Sequence, residues 1–345
     1  MYIVIYLIRM TVSPFITISI NRMEDGIMNS DTLLVTHIDL DGSGCEVAVR
    51  YYYLLMYNKR IDSIRVNYDF DTDPQIINLI MKYPNVVFTD ISFSAEYAKK
   101  LDTMMKLSKS IFGIQYTVKL FDHHKSSDER LTPLQYDWIT IDQSRSGSKI
   151  AYDYYLSILP DNLKSQYSRL DYFIKLVNDY DLWKHEYKDS KLLQFLWSGS
   201  DKDEFVYRFV NDPDVTKLSM EEGEIINSSL RNYEESLSNS LESLEIYTDI
   251  EGNRFGICNK NNLYSLVGSK ILKDNPDLAY LVMKDPLNIS LSFRSSYYDV
   301  SKIAESLGGG GHALAAGASL PQFSDVVESV RTRQVVRLSF LTNFS

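Results

Sequence analysis

The sequence predicts an α/β protein: a doubly wound parallel-sheet domain joined by a helical linker to a smaller α/β C-terminal domain. Three observations predict it. Apolar runs rich in β-branched residues recur at residues 34–38, 86–89 and 118–121, and each runs into a carboxylate or a histidine. Buried parallel strands read this way where they end at a ligand-binding edge. Stretches with helical spacing alternate with these runs, the pace of a doubly wound sheet. A Ser-, Asn- and Glu-rich helical tract then separates this part from a second set of strands and helices.

The elements follow in order. Residues 34–38 form the first strand, which passes into Gly42-Ser43-Gly44 and a helix over 45–58 carrying Tyr51, Leu54 and Leu55. Residues 61–68 form a second strand. Asp73-Pro74 supplies an N-cap followed by proline at the first helical position, opening a helix to Tyr83. A strand ending at Asp90, a helix over 94–107 and a strand ending at Asp122 come next. The tract 126–142 is looser, with a short strand at 138–141. Ser146-Gly147-Ser148 opens a helix through Tyr155, and one longer helix is expected over 162–178. The tract 221–245 reads as the connecting helix. Beyond it lie strands at 254–258, 278–284 and 288–294 and helices at 300–307 and 324–335. This divides the chain into an N-terminal extension of unknown role (1–27), a first domain (28–218), a helical linker (219–247) and a second domain (248–345).

Composition bounds the function. With 345 residues, 44% apolar and 24% charged, the chain has the make-up of a globular protein of two ordinary domains. A net charge of −10 argues against a protein that grips long nucleic acid by counterion release. It leaves room for a short anionic substrate held by metals and local cations. Cys45 and Cys258 have no metal-ligand spacing and read as reduced packing residues, which suits a cytoplasmic protein. The first 20 residues are apolar but interrupted by Arg9 and Pro14, so no span of about 20 residues is available for a bilayer. Met23 and Met28 stand just before the first strand, so an upstream or alternative start is the preferred reading of that segment, with an edge strand or peripheral anchor second.

The chemistry concentrates where the strands end. His37, Asp39 and Asp41 alternate along what reads as extended backbone, so they project toward one side. Carboxylates and imidazole crowded there repel unless a cation joins them. Asp90 ends the third apolar run, and Asp122-His123-His124 ends the next.

In this order the motifs resemble the DHH phosphoesterase superfamily. Ser290-Leu291-Ser292-Phe293-Arg294-Ser295 and Gly308-Gly309-Gly310-Gly311-His312-Ala313-Leu314-Ala315-Ala316-Gly317 resemble the signature of its DHH-associated C-terminal domain. The resemblance covers residues 31–320. It implies that His37, Asp39, Asp41, Asp90, His123 and one of Asp179 or Asp181 are metal ligands. Asp90 would bridge two ions, and Asp181 is favoured by a Tyr-Asp-x-Trp pattern. These oxygen and imidazole donors suit two divalent ions, Mn²⁺ first and Mg²⁺ second. Two such ions about 3.5–4 Å apart can hold a hydroxide between them for in-line attack on phosphorus. The resemblance further implies that His124 faces the substrate phosphate as donor or general acid while Asp122 orients a histidine. Arg294, Ser295, Gly309, Gly310, Gly311 and His312 would bind the substrate, with a cleft between the two domains selecting its length. His185 falls outside the motifs and reads as an ordinary surface residue.

The activity implied is hydrolysis of phosphodiester or phosphomonoester bonds in short nucleotides, either short oligoribonucleotides or 3′-phosphoadenosine 5′-phosphate. Cyclic dinucleotide hydrolysis is the near alternative, and a catalytically silent nucleotide-binding regulator the alternative of another class. The oligomeric state stays open, a homodimer included.

Overall fold

The computed structural model describes residues 30–67, 70–108, 115–261, 263–285, 290–322 and 324–337, apart from the side chain of His312. The N-terminal extension 1–27 lies outside the described residues. The chain divides into two compact units, Met1–Ile226 and Asn227–Ser345.

In the first unit β1 (Thr32–His37), β2 (Asp62–Val66), β3 (Asn85–Thr89), β4 (Thr117–Asp122) and β5 (Ile139–Ile141) form a parallel sheet in the order β2-β1-β3-β4-β5. Leu33, Val35, Ile64, Val66, Val86, Phe88, Val118 and Leu120 point to one face. There they meet residues from α2 (Pro74–Ile80) and α3 (Ala95–Leu107). Full burial of such side chains stabilises by roughly 1.5–3 kcal/mol each. Leu34, Val87 and Phe121 are also buried, on the alternate positions. Both faces are therefore covered, which explains strands that read as continuous apolar runs.

The remaining helices of this unit are α1 (Leu40–Tyr57), α4 (Lys125–Leu131), α5 (Gly147–Ile158), α6 (Asp161–Tyr167), α7 (Asp171–Asp181), α8 (Lys188–Gly199) and α9 (Lys202–Asn211). The single helix expected over 162–178 is two. A 3₁₀ turn at Ser168–Leu170 breaks it, beside Tyr167, which is pinned by a hydrogen bond from its hydroxyl to the Ala48 carbonyl at 3.1 Å. Helix α1 begins five residues earlier than its sequence pattern suggests, because Asp39 caps it through the Gly42 N–H at 2.9 Å.

Helix α10 (Met220–Glu242) runs across the division into the second unit. There β6 (Glu245–Thr248), β7 (Arg254–Asn259), β8 (Tyr280–Lys284), β9 (Ser290–Arg294), β10 (Gly310–His312) and β11 (Ala315–Ser319) form a mixed sheet in the order β10-β11-β9-β8-β7-β6. Helices α11 (Tyr264–Asp274), α12 (Ser301–Ser306) and α13 (Val326–Thr332) complete it. The glycine run is not a free loop, since Gly310–His312 pairs antiparallel with Ala315–Gly317. Cys45 and Cys258 are buried free thiols. No described helix is long and apolar enough to cross a membrane.

Candidate metal centre

The strand order puts a switch point between β1 and β3, where an α/β sheet opens a crevice at its carboxyl edge. Register fixes what stands there. Thr36 pairs with Thr89 and Thr89 with Phe121, so the next residues, His37, Asp90 and Asp122, end three neighbouring strands at one level. Thr89 donates its hydroxyl to Thr36 (2.9 Å), which donates to the Gly42 carbonyl (3.0 Å), tying the strand ends to the first turn of α1.

Asp39 and Asp41 do not continue an extended strand. Asp39 is the N-cap, its backbone still extended, and Asp41 lies in the first helical turn, so it is helical curvature that brings Asp41 to the edge. Asp39 binds His37 Nδ1 at 2.8 Å. Buried Asp41 accepts the Ser148 backbone N–H at 3.1 Å. That contact needs α5 close by, and a Cβ on Gly147 would stand 2.9 Å from Asp90 Cβ and 3.1 Å from Asp41 Oδ2. The Ser-Gly-Ser helix start is legible in the sequence, but nothing in it points to Asp41.

Asp90 sits in the left-handed region at φ +53°, which aspartate tolerates better than most residues. His123 Nε2 lies 3.3 Å from Asp90 Oδ1, 3.5 Å from Asp181 Oδ2 and 4.0 Å from Asp41 Oδ2. Two positions apart on α7, Asp179 and Asp181 are roughly 200° apart around the helix. Only Asp181 joins the cluster. Asp179 turns away and accepts the backbone N–H groups of Glu186 (2.9 Å) and Tyr187 (3.4 Å), so the structure does not bring it to the metal-ligand set.

The crowding leaves an electrostatic mark. Burial raises the Asp90 carboxyl well above the usual carboxylate range, and Asp39, Asp41, Asp181 and Asp122 push it further. Burial and Asp41 push Asp181 up to about 8, against the opposing pull of His123. For His123, burial would lower the pKa, but Asp181 and Asp41 outweigh it and the net shift is upward. Protons are thus held where positive charge is wanted. Asp90 Oδ2 and Asp181 Oδ2 are buried without a hydrogen-bond partner, which is costly for a carboxylate oxygen unless a cation satisfies it. Ligand atoms of three overlapping groups lie within 4.8 Å of one another: Asp90, His123 and His124; His37, Asp39 and Asp90; Asp41, His123 and Asp181. Hard donors, orphaned oxygens and shared members all fit divalent ions.

Asp122 stands one layer back. It accepts from His124 Nδ1 at 2.7 Å, from the His123 N–H at 2.8 Å and from the Ser127 hydroxyl. The sequence offers no signal for Ser127 beyond its place in α4.

In the second unit, Arg294 donates to the Ser265 hydroxyl at 2.9 Å and packs 5.2 Å from the Tyr264 ring. The expected substrate role of Ser295 meets a correction. Its hydroxyl donates to the Ala279 carbonyl (2.7 Å) and accepts the N–H groups of Tyr297 and Tyr298, so it builds the turn and has no donor left. Gly309 and Gly311 are demanded by packing, since a Cβ would stand 2.0 Å from the Gly317 carbonyl oxygen and 2.6 Å from Ala316 Cα respectively. Gly310 alone of the three faces open space. The His312 side chain lies outside the described set. His185 is not a plain surface residue either: its ring packs 4.4 Å from Trp183, and its Nδ1 is buried without a partner.

In fold and in the residues of its site, the chain is similar to the DHH phosphoesterases. Residues 255–334 match the DHHA1 domain. Oligoribonuclease NrnB of Bacillus subtilis (strain 168) is 27% identical over 308 residues, covering 83% of this chain and 72% of that one. Among solved structures, the DHH domain of a member of the s1p family of ribosomal proteins superposes with a TM-score of 0.56 at 14% identity, covering 84% of this chain and 82% of that one. RecJ from Thermus thermophilus in complex with Mn²⁺ gives 0.51 at 14% identity, covering 89% of this chain and 53% of that one. At such identities these structures speak for the fold.

Proposed function

We propose that this protein hydrolyses phosphodiester bonds in short oligoribonucleotides, or the 3′-phosphomonoester of 3′-phosphoadenosine 5′-phosphate, by attack of water on phosphorus. The observation that carries this reading is the pair of buried carboxylate oxygens on Asp90 and Asp181 that make no hydrogen bond, set among His37, Asp39, Asp41 and His123. The similarity to oligoribonuclease NrnB supports the substrate class. Two divalent ions, Mn²⁺ first and Mg²⁺ second, would be held by those six residues and would supply the charge that activates water and stabilises phosphoryl oxygens. Asp90 and His123 each belong to two of the three groups, and only the carboxylate has a second oxygen to offer another ion, so Asp90 would be the shared ligand.

The chain's own residues supply the rest. Asp122 fixes the imidazole of His124 through Nδ1, leaving Nε2 to donate to a phosphate oxygen or the leaving oxygen. Arg294, Gly310 and His312 bind an anionic group of the substrate, in the cytoplasm, where the free cysteines stay reduced.

A substrate panel tests the reading: di- to pentanucleotides, the nucleoside bisphosphate and a cyclic dinucleotide, each with Mn²⁺. Mononucleotide release from the linear substrates is expected. Chelation or Asp90→Asn should abolish it, since asparagine keeps the left-handed backbone comfortable but removes the bridging charge. Preferred turnover of the cyclic dinucleotide would reassign the substrate. Binding without turnover of any would make the protein a regulator.

A further inference from the structure

We propose that Trp183 is a stacking platform for a nucleobase of the substrate whose scissile phosphate lies at the metal cluster. This rests on the phosphodiesterase reading above and adds to it the group that recognises the base. Trp183 follows Asp181 by two residues and is 38% exposed, whereas Trp138 is buried. The residue stands at φ +57°, in the position just past the end of α7, where the chain turns back on itself. The Trp183 backbone N–H donates to the Tyr180 carbonyl and the Lys184 N–H to the Asp179 carbonyl, both at 3.0 Å. Glycine is the favoured residue at such a turn because it has no Cβ to clash. A bulky aromatic there works against the backbone, and the fold holds it nonetheless.

What holds it is specific. The Asp179 carboxylate caps the next turn of chain through Glu186 and Tyr187. His185, itself left-handed at φ +53°, meets the indole edge to face at 4.4 Å between ring centres, and the Tyr180 ring does so at 5.6 Å. Burial and Lys191 lower the His185 pKa, which keeps that imidazole neutral at physiological pH. The result is a partly exposed indole, fixed by two rings that meet it edge to face, on the segment that also supplies a carboxylate to the cluster. Every nucleobase has a π-face, so such a plate binds without choosing a sequence. That matches an enzyme that degrades short fragments of any composition.

The experiment uses the full chain with Mn²⁺, wild type, Trp183→Ala and Trp183→Phe, and dinucleotides made abasic at one position or the other. Loss of one stacked base typically costs about 5- to 100-fold in binding. Trp183→Ala should raise KM for the complete dinucleotide by about tenfold or more with kcat little changed. Phenylalanine should restore part of that. For one of the two abasic substrates the substitution should make no difference, which identifies the stacked base. Indole fluorescence, quenched by a nucleoside 5′-monophosphate in wild type and not in Trp183→Phe, gives a readout independent of turnover. Equal KM changes on complete and both abasic dinucleotides, or unchanged quenching in Trp183→Phe, would overturn the platform. Failure of wild type to hydrolyse any dinucleotide would sink the function instead, and the quenching result would still decide the platform.

Discussion

Asp181→Asn and Asp179→Asn should shift stability in opposite directions once divalent ions are stripped away. In the ion-free protein, burial and Asp41 push the Asp181 carboxyl from 3.8 up to about 8. A carboxyl whose pKa is raised on folding contributes its full stability only below the unfolded value. That contribution is lost as pH rises through the folded value, here from about 4 to about 8. At ~1.4 kcal/mol per unit the rise corresponds to roughly 5–6 kcal/mol. The side chain keeps 19% exposure, so water screens part of the repulsion; about half, roughly 2–3 kcal/mol, is the expected share at pH 8. Asparagine carries no charge to repel. In chelator at pH 8, Asp181→Asn should therefore melt roughly 4–10 °C above wild type, with the gap closing toward pH 5. Asp179→Asn loses the charge on hydrogen bonds from Glu186 and Tyr187 and should cost about 1–2 kcal/mol at both pH values. Mn²⁺ should then invert the order: wild type and Asp179→Asn gain stability, and Asp181→Asn gains little. Thermal melts with and without Mn²⁺ read all of this. If Asp181→Asn melts at or below wild type in chelator at pH 8, or Asp179→Asn is the variant that loses the Mn²⁺ response, the assignment of charge strain to Asp181 is wrong.

Two further outcomes follow from close contacts. Gly147→Ala places a methyl 2.9 Å from Asp90 Cβ and 3.1 Å from Asp41 Oδ2, so Mn²⁺ affinity, measured by calorimetry, should fall about tenfold or more while the fold persists. Ser295→Ala should lower the melting temperature of the second unit, costing about 1–3 kcal/mol for the orphaned Tyr297 and Tyr298 N–H groups, yet leave KM for a dinucleotide unchanged. Arg294→Ala should do the reverse, raising KM with little change in melting; a rise in KM for Ser295→Ala would return the serine to the binding site.

The parallel sheet was legible because its strands are buried on both faces, so apolar runs and terminal carboxylates stand out against amphipathic helices. What escaped has physical reasons. Helix α11 is preceded by Leu263, a left-handed residue with no capping side chain, so no start signal exists. The β10–β11 hairpin is written in glycine and alanine, residues that strands disfavour, and it is held by backbone pairing that composition does not reveal. Helix α9 did carry a signal, Asp201 with Glu204 three residues on, and the cap is made as that spacing suggests. At the site, residue types and order were readable, but the choice between Asp179 and Asp181 needed the helix phase. The occupied hydroxyl of Ser295 needed its partners.

Backbone strain separates the site from the scaffold. Among the described residues, the left-handed non-glycine residues are Asn58, Asp90, Gln135, Trp183, His185, Leu263 and Arg333. Asn58, Gln135 and Arg333 cap the ends of helical segments, and Leu263 stands just before a helix. Asp90 belongs to the metal-ligand set, and Trp183 and His185 follow Asp181 in the hydrogen-bonded turn past α7. A left-handed residue with a side chain costs roughly 1–2 kcal/mol, and a fold keeps that cost where a side chain must be aimed. The metal-ligand edge holds the buried Asp90 and Asp181 oxygens that make no hydrogen bond. Strained backbone, carboxylate oxygens without a hydrogen bond and raised carboxyl pKa values share one remedy, bound cations with an anionic substrate. Without them this edge should be the least stable part of the first unit. Hydrogen exchange at residues 182–187 should therefore slow more on adding Mn²⁺ and a non-hydrolysable dinucleotide than exchange in α2, on the far face of the sheet. Equal slowing across both segments would mean that the strain serves the fold and not the site.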